Sequence, residues 1–189
     1  MLKQETERSG GEYALVAPRL SHYQAVSAMD EDFAAAGEEP YCGAASRVGY
    51  ALWVWTVREQ AREGAALLGG NPNEILFLVR GGEERILACG QLRPVDTEDV
   101  LTWAGHIGYS VPPSLRGRGY AQTILRLLLE EAFARGMEEV LLTCDETNAA
   151  SRRVIEKAGG AFKGHYRARG YNKRRYWFSK GNTPNFDGR

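Results

Sequence analysis

The sequence predicts an α/β (mixed α+β) fold, a twisted mixed sheet of about seven strands flanked by helices. Short runs of β-branched and apolar residues alternate with stretches in which apolar residues recur at helical spacing, and Gly or Pro separates them. The predicted order is β-α-α-β-β-β-α-β-α-β-β. With 189 residues and no internal repeat, this order describes one domain.

The N-terminal part is predicted to combine one strand with two helices. Residues 1–12 are polar and are predicted to be disordered, and the first strand covers residues 13–17. Ser21 can cap a helix that ends at Gly37. A second helix is predicted over residues 48–66, where apolar residues recur at helical spacing.

The remainder is richer in strands. Three strands are predicted at residues 75–79, 85–92 and 100–111. They are followed by an amphipathic helix from residue 121 to Gly136, a strand at 140–144, a helix at 148–158, and two strands at 161–169 and 174–178. The predicted domain therefore covers residues 13–180, and residues 181–189 form a tail.

The composition is typical of a soluble globular protein. The formal net charge is zero, with 43% hydrophobic and 25% charged residues, which argues against a generally basic nucleic-acid binder. The charges are unevenly distributed. Residues 1–111 hold nine basic and sixteen acidic residues, whereas residues 112–189 hold fifteen and eight. An anionic ligand is therefore expected in the second part.

Targeting and metal motifs are missing from the sequence. No apolar stretch approaches the roughly 20 residues needed to span a bilayer, and the charged N-terminus has no secretory apolar segment. The three cysteines are far apart and no zinc-ligand spacing is present. These observations predict a cytoplasmic protein without a metal, a disulfide framework or a membrane partner.

The most informative segment, VPPSLRGRGYA at residues 111–121, joins a predicted strand to the amphipathic helix. Gly117 and Gly119 let the backbone approach a ligand closely, and N–H groups at a helix N-terminus suit a phosphate or pyrophosphate. Arg116 and Arg118 add positive charge. The spacing fits neither the Walker A motif nor a complete GxGxxG.

This segment resembles the acetyl-CoA loop of the GNAT superfamily of N-acetyltransferases, Q/R-x-x-G-x-G/A, matched by RGRGYA at residues 116–121. The preceding IGYSV, followed by Pro113, is similar to the family's IGY-x-V-x-P strand. NAASRRVIEKAGGAF, at residues 148–162, resembles its N-x-x-A/S-x-x-x-x-E/K-x-x-G-F block. The resemblance covers roughly residues 75–178, and residues 1–74 match only in their β-α-α outline.

The resemblance implies a GNAT-like sheet and acetyl-CoA as co-substrate, with residues 75–178 binding it and residues 13–74 forming the acceptor side. Backbone N–H groups of residues 117–121 would bind the pyrophosphate. The backbone of residues 109–111 would pair with the pantetheine arm and polarise the acetyl carbonyl. The implied cofactor-binding residues are Tyr109, Ser110, Val111, Arg116, Gly117, Arg118, Gly119, Tyr120, Ala121, Asn148 and Ser151.

The implied chemistry needs a proton acceptor, because an amine with a pKa near 10 is mostly protonated at neutral pH. His106 is the favoured base because it begins the strand beside the cofactor, and the alternative is a hydrogen-bonded structural histidine. Asp145 is the second candidate, with helix capping as its alternative. The family often has a Tyr at the position of Ile155 as the thiol's proton donor, and that acid is missing here.

Two other patterns each have two interpretations. Cys144 is a candidate nucleophile, but a small buried apolar residue is favoured because no basic residue adjoins it in sequence. Residues 163–177 interleave basic and aromatic side chains, as single-strand nucleic-acid surfaces do. Two terminal strands with outward charges and packed aromatics are the favoured explanation.

A further pattern lies in the acceptor-side part. Tyr41, Trp53 and Trp55, with the acidic residues 30–32 and 38–39, would form an aromatic and acidic wall suited to a cationic amine. Core aromatics and a solvated helix face explain the same residues equally well.

Together these features predict a cytoplasmic N-acetyltransferase, monomeric or homodimeric, with acetyl-CoA and an amine acceptor as its partners. The acceptor is a primary amine of a small molecule or peptide, and no nucleic acid is expected to bind. One alternative is a CoA-binding sensor without catalysis. The less favoured alternative is an RNA-binding module that uses residues 163–177.

Overall fold

The structure is a computed structural model that describes residues 8–10, 12–39, 49–61, 72–81, 83 and 85–181. These residues form eight strands and four α-helices. They are β1 (Arg8–Gly10), β2 (Tyr13–Val16), α1 (Tyr23–Ala35), α2 (Tyr50–Gln60), β3 (Glu74–Arg80), β4 (Ala88–Leu92), β5 (Ile107–Ser110), α3 (Tyr120–Ala134), β6 (Glu139–Asp145), α4 (Ala149–Lys157), β7 (Ala161–Ala168) and β8 (Tyr171–Ser179).

The strands are hydrogen-bonded in the order β1-β2-β3-β4-β5-β6-β8-β7. The chain forms two compact units, one of Met1–Gln91 with Tyr109–Ile124, and one of Leu92–Gly108 with Leu125–Arg189. The predicted single domain over residues 13–180 stays a prediction.

In the first unit, two helices cover the antiparallel strands β2 and β3. β2 pairs with β3 from Tyr13 opposite Arg80 to Val16 opposite Phe77. The helices bury their apolar residues in the same core as Phe77, because those residues recur at helical spacing. The buried helical residues are Val26, Met29 and Phe33 of α1, and Tyr50, Val54 and Val57 of α2.

The second unit is organised around β6, β7 and β8. β6 pairs with β8 from Glu139 opposite Ser179 to Asp145 opposite Lys173. β7 pairs antiparallel with β8 at the end of the sheet, with a shift in register between Phe162 and His165. On its other side, β6 pairs parallel with β5. Parallel and antiparallel pairs thus occur in one sheet.

The predicted fold class and element order are confirmed, with two corrections. Residues 100–111 do not form one strand, because Val100–Ala104 adopt a π-helical turn and the strand begins at Ile107. Gly105 separates the two with a φ of 74°, and an added Cβ there would lie 3.0 Å from the Leu141 carbonyl oxygen. The second correction is β1, whose Arg8–Gly10 pair with β2 inside a segment predicted to be disordered.

Several predictions lie partly outside the described residues. These are the polar residues 1–7, the second helix beyond residue 61, Tyr41, Cys42 and the tail beyond residue 181. Cys89 and Cys144 are both buried, and neither forms a disulfide bond with another described residue. Within the described ranges, no helix combines the length and apolar character needed to cross a membrane.

Candidate functional site

The glycine-bearing loop singled out in the sequence lies between β5 and α3, in the first unit. A short 3-10 turn, Pro113–Leu115, leads into it, and Leu115 is buried. Gly117 and Gly119 have φ angles of 75° and 87°, in the left-handed region that glycine adopts without strain. α3 begins directly afterwards at Tyr120. The backbone therefore turns twice just before the helix.

The helix end behind this loop has the geometry of an anion site. Its first helical hydrogen bonds are donated by Gln122 and Thr123, both to the Gly119 carbonyl, at 3.0 and 3.1 Å. The N–H groups that precede them have no carbonyl one turn back, so they point out of the positive end of the helix. A Cβ added at Gly117 or Gly119 would meet no described atom within 4 Å, so a phosphate can approach.

The two arginines of the loop have different surroundings. Arg116 forms a bidentate ion pair with Glu38, with N···O distances of 2.7 and 2.6 Å, and its Nε donates to the Val111 carbonyl at 3.1 Å. This pairing raises the pKa of Arg116 and lowers that of Glu38, so both groups stay charged at neutral pH. Arg118 is exposed and makes no hydrogen bond or ion pair with the described part of the chain.

The other predicted cofactor-binding residues near the loop lie in the strand and the helix that flank it. Tyr109 and Ser110 end β5 and are half-buried, as is Val111 after them. Tyr120 and Ala121 form the first turn of α3. The Tyr120 ring stands edge-on to Tyr13 with 6.2 Å between the ring centroids. Their contacts with the cofactor stay predictions.

In the second unit, the N-terminus of α4 carries the remaining predicted cofactor ligands. The side-chain oxygen of Asn148 accepts from the Ser151 N–H at 2.9 Å and caps the helix. Asp145 lies at the end of β6 and pairs with Lys173, with 2.8 Å between its carboxylate and the ammonium. The capping alternative for Asp145 is therefore wrong, because Asn148 performs that role.

His106 is buried and both of its ring nitrogens are engaged. Nδ1 accepts the Leu141 backbone N–H at 2.8 Å, which leaves the proton on Nε2, 2.8 Å from an Asp96 oxygen. The imidazole therefore has no free lone pair to accept a substrate proton. This arrangement favours the structural alternative over the role of general base, which stays untested.

Ile155, at the position where the family often has a Tyr, is fully buried in α4. The nearby phenol of Tyr176 is also buried, and its hydroxyl donates to Glu156 at 2.9 Å. Burial raises the pKa of Tyr176. The hydrogen bond between Tyr176 and Glu156 therefore joins β8 to α4.

The surroundings of Cys144 favour its structural interpretation. Burial raises the pKa of its thiol to about 11, so the thiol is protonated at neutral pH. A neutral thiol is a weak nucleophile, which argues against an acetyl-cysteine intermediate.

The basic and aromatic residues 163–177 are largely committed to contacts within their own unit. Arg169 pairs with Glu98, Arg174 and His165 pair with Glu146, and Arg175 donates to a backbone carbonyl. The Tyr171 ring stacks on Trp103 at 4.6 Å. These contacts support the interpretation as two terminal strands.

Of the described residues in the predicted aromatic and acidic wall, only some are exposed and unpaired, and so able to bind a cationic amine. Trp53 stacks on Tyr50 and Phe77 in the core, whereas Trp55 is exposed. Two of the acidic residues, Asp32 and Glu38, bind the loop before α3 instead of facing solvent freely. Nothing in the sequence indicated these two contacts, because each joins residues about 80 positions apart.

Asp30 on α1 is half-buried, and its Oδ1 has no hydrogen-bond partner among the described residues. Burial, reinforced by the charge of Glu39, raises its pKa to about 6. The folded state therefore binds the proton more tightly than the unfolded state, and stability falls as pH rises between about 4 and 6.

Asp30→Asn is expected to stabilise the protein above pH 6, by about 1 kcal/mol after allowance for partial exposure, or a few degrees in Tm. The gain should be mostly lost at pH 4 and disappear near pH 3, where Asp30 is neutral in both the folded and the unfolded state. Thermal unfolding from pH 3 to 8 measures it. Glu31→Gln, an exposed neighbour on the same helix, is the control. Equal effects of the two substitutions at all pH values would contradict the assignment.

Comparison with known proteins decides the family. The model of the acetyltransferase (GNAT) domain family matches residues 15–161. The chain belongs to the GNAT family. It is therefore an acyl-CoA-dependent N-acetyltransferase with acetyl-CoA as its co-substrate, as the sequence predicted. No curated protein sequence gives a significant match.

Solved structures support the GNAT fold. RimJ of Mycobacterium smegmatis, in complex with CoA-disulfide, is 20% identical, with a TM-score of 0.63 over 91% of this chain and 84% of that chain. A Salmonella typhimurium acetyltransferase that modifies the N-terminal serine of ribosomal protein L7/L12 is 17% identical, with a TM-score of 0.64 over 90% and 96%. Spermidine/spermine N-acetyltransferase SpeG from Vibrio cholerae is 10% identical, with a TM-score of 0.60 over 90% and 95%.

The predicted absence of a metal stays a prediction. In the part of the chain that the structure describes, no group of three or more His, Cys, Asp or Glu side chains could hold a metal ion.

Proposed function

We propose that this GNAT enzyme transfers an acetyl group directly to a primary amine in a ternary complex, and that the amine is the α-amino group of a peptide or protein. The geometry before α3 carries the cofactor part of this proposal. Outward N–H groups, two left-handed glycines and an open approach suit the pyrophosphate of acetyl-CoA.

The acceptor class follows from the protonation problem. An α-amino group has a pKa of about 8, whereas a lysine or polyamine nitrogen has a pKa above 10. A substantial fraction of α-amines is therefore already unprotonated at neutral pH and can attack the thioester without a strong base. Of the two candidate bases, His106 has both nitrogens engaged and Asp145 is paired with Lys173. This site therefore suits an acceptor with a low pKa.

Two further observations support a peptide acceptor. The engagement of Asp32 and Glu38 reduces the negative charge that a polyamine would use. A structural neighbour modifies the N-terminal serine of a ribosomal protein, although the SpeG likeness shows that polyamine enzymes have the same fold. For this chain the peptide α-amine is the preferred candidate and the polyamine is the competitor.

The test is release of CoA thiol from acetyl-CoA across an acceptor panel. We expect turnover with a peptide that has a free N-terminus, and none with the same peptide N-acetylated. An N-acetylated peptide with one lysine isolates the side-chain amine, and spermidine tests the competitor. kcat/KM for the favoured peptide should rise with pH through about pH 8 and level off above it, as the α-amine loses its proton.

Each alternative gives a different result. Turnover confined to spermidine would replace the acceptor assignment and keep the enzyme. Binding of acetyl-CoA in a thermal-shift assay without turnover of any amine would favour a sensor. No thermal shift with acetyl-CoA at saturating concentration would contradict the use of the loop before α3.

A further inference from the structure

Two acidic side chains bind the loop that precedes α3. One of them, Asp32, lies on α1, and the other, Glu38, follows the C-terminus of that helix. Asp32 accepts hydrogen bonds from the Ser114 backbone N–H at 3.1 Å and from the Ser114 hydroxyl at 2.8 Å. Glu38 accepts both terminal nitrogens of Arg116. The helix therefore fixes the loop at two points, on either side of the buried Leu115.

We infer that Asp32 and Glu38 are positioning residues for acetyl-CoA, and that Arg116 braces the loop instead of binding phosphate. Arg118 is then the loop's phosphate-directed cation. This inference rests on the proposed use of the loop for acetyl-CoA. It gives the acidic residues a different role from the amine-binding wall that the sequence suggested.

The position of Glu38 is set by the end of α1. The Gly37 N–H donates to the Ala34 carbonyl and the Glu38 N–H donates to the Phe33 carbonyl, both at 3.0 Å. These bonds close the helix and reverse the chain. Phe33 is buried in the core, so the backbone of Glu38 is held against a rigid part of the unit. The backbone that carries the Glu38 carboxylate is therefore held in place next to the loop.

The contacts of Arg116 explain why it acts as a brace. Its Nε binds the carbonyl of Val111, five residues earlier, and so closes the turn that contains the two prolines. Its two terminal nitrogens face the Glu38 carboxylate in the parallel arrangement that makes such pairs specific. The charge of Arg116 is therefore already balanced. A phosphate would gain little from it unless the pair were broken.

Arg118 differs in the property that attracts an anion. It is exposed two residues later, between Gly117 and Gly119, without an ion pair to the described residues. Its charge is available to a multiply anionic ligand, and this attraction should weaken with salt. We therefore expect substitution of Arg116 and substitution of Arg118 to change the salt dependence of acetyl-CoA binding differently, although both residues lie in the same loop.

The experiment measures the Kd of acetyl-CoA by calorimetry at several salt concentrations. Glu38→Gln and Arg116→Gln should each weaken binding about threefold to fivefold, since an exposed bidentate pair contributes up to about 1 kcal/mol. The double variant should be hardly weaker than either single variant, because the two residues act together. Asp32→Asn should weaken binding to a similar extent.

The salt dependence separates bracing from phosphate binding. Arg116→Gln should retain the wild-type slope of log Kd against log salt, whereas Arg118→Gln should make it shallower. Glu31→Gln, on the same helix and with the same charge change, should stay within about twofold of wild type. The positioning variants should raise KM for acetyl-CoA with little change in kcat or in KM for the amine.

Opposite results would overturn the inference. Tighter binding by Glu38→Gln together with a shallower slope for Arg116→Gln would mean that Glu38 competes with phosphate for Arg116. Wild-type binding by Glu38→Gln and Asp32→Asn would remove their positioning role but leave the proposed function intact. Failure of the wild-type protein to bind acetyl-CoA would instead contradict both. Circular dichroism of each variant checks folding, which these substitutions at exposed or half-buried positions should not disturb.

Discussion

Gly119→Val is expected to weaken acetyl-CoA binding by about one to two orders of magnitude, because a β-branched residue at positive φ stores about 1–3 kcal/mol of strain. Gly119 has a φ of 87°, and its carbonyl receives the first two hydrogen bonds of α3. The loop can relieve this strain by rotating its peptide groups. That rotation would turn the outward N–H groups away from the phosphate position. Calorimetric titration with acetyl-CoA measures the loss.

The matched control lies at the other end of the same helix. Gly136 follows α3 with a φ of 91°, and, like Gly119, an added Cβ there would meet no described atom within 4 Å. Gly136→Val therefore introduces a similar backbone strain away from the loop. Gly136→Val should lower Tm about as much as Gly119→Val does. Its affinity for acetyl-CoA should stay within about twofold of wild type. Equal losses of affinity in both variants would indicate general destabilisation and not a phosphate site.

His106→Ala is expected to lower the free energy of unfolding by about 3–5 kcal/mol, through a cavity and a buried donor left without its acceptor. The imidazole is 1% exposed and accepts the Leu141 N–H while it faces Asp96. In a protein of this size each kcal/mol changes Tm by about 2–4 °C. Chemical denaturation monitored by circular dichroism gives the value directly.

His106→Asn separates the structural role from the catalytic one. The asparagine side-chain oxygen can take the position of Nδ1 and accept the Leu141 N–H, so much of the lost stability should return. An asparagine cannot act as a base at neutral pH. We expect the folded variant to keep kcat within about fivefold of wild type, since general-base catalysis would contribute 10²–10⁴-fold. A stable variant with a hundredfold lower kcat would restore His106 as the base.

The fold class was accessible from the sequence because its strands and helices follow simple periodicities. α3 and α4 end at glycines, and their apolar residues recur at helical spacing, so their bounds were predicted closely. The segment from Val100 to Gly105 is predicted as part of a strand because it is apolar and precedes one. The positive φ of Gly105 and the π-helical turn before it depend on close contact with the backbone of β6, which a local pattern does not contain.

The same distinction between local and distant sequence information applies to the candidate site. The loop predicted to bind an anion is a local feature of the sequence, and its two glycines, Gly117 and Gly119, adopt positive φ angles. The roles of His106 and Arg116 depend on partners distant in sequence, Leu141 and Glu38. Charge and residue type alone suggested a base and a phosphate ligand. The contacts with these partners favour a buried hydrogen-bonding link for His106 and a brace for Arg116, and the two roles predicted from the sequence stay untested.

The register shift in β7 bears on how copies of this enzyme can associate. β7 ends the sheet, so one side of its backbone is not covered by another strand of the described chain. The irregularity between Phe162 and His165 interrupts the straight row of donors and acceptors that a second chain would need. Lys163 and Arg167, both exposed on this strand, add positive charge to the edge, and charged side chains on an edge strand discourage pairing with another chain. A homodimer formed by joining two β7 strands into a continuous sheet is therefore disfavoured.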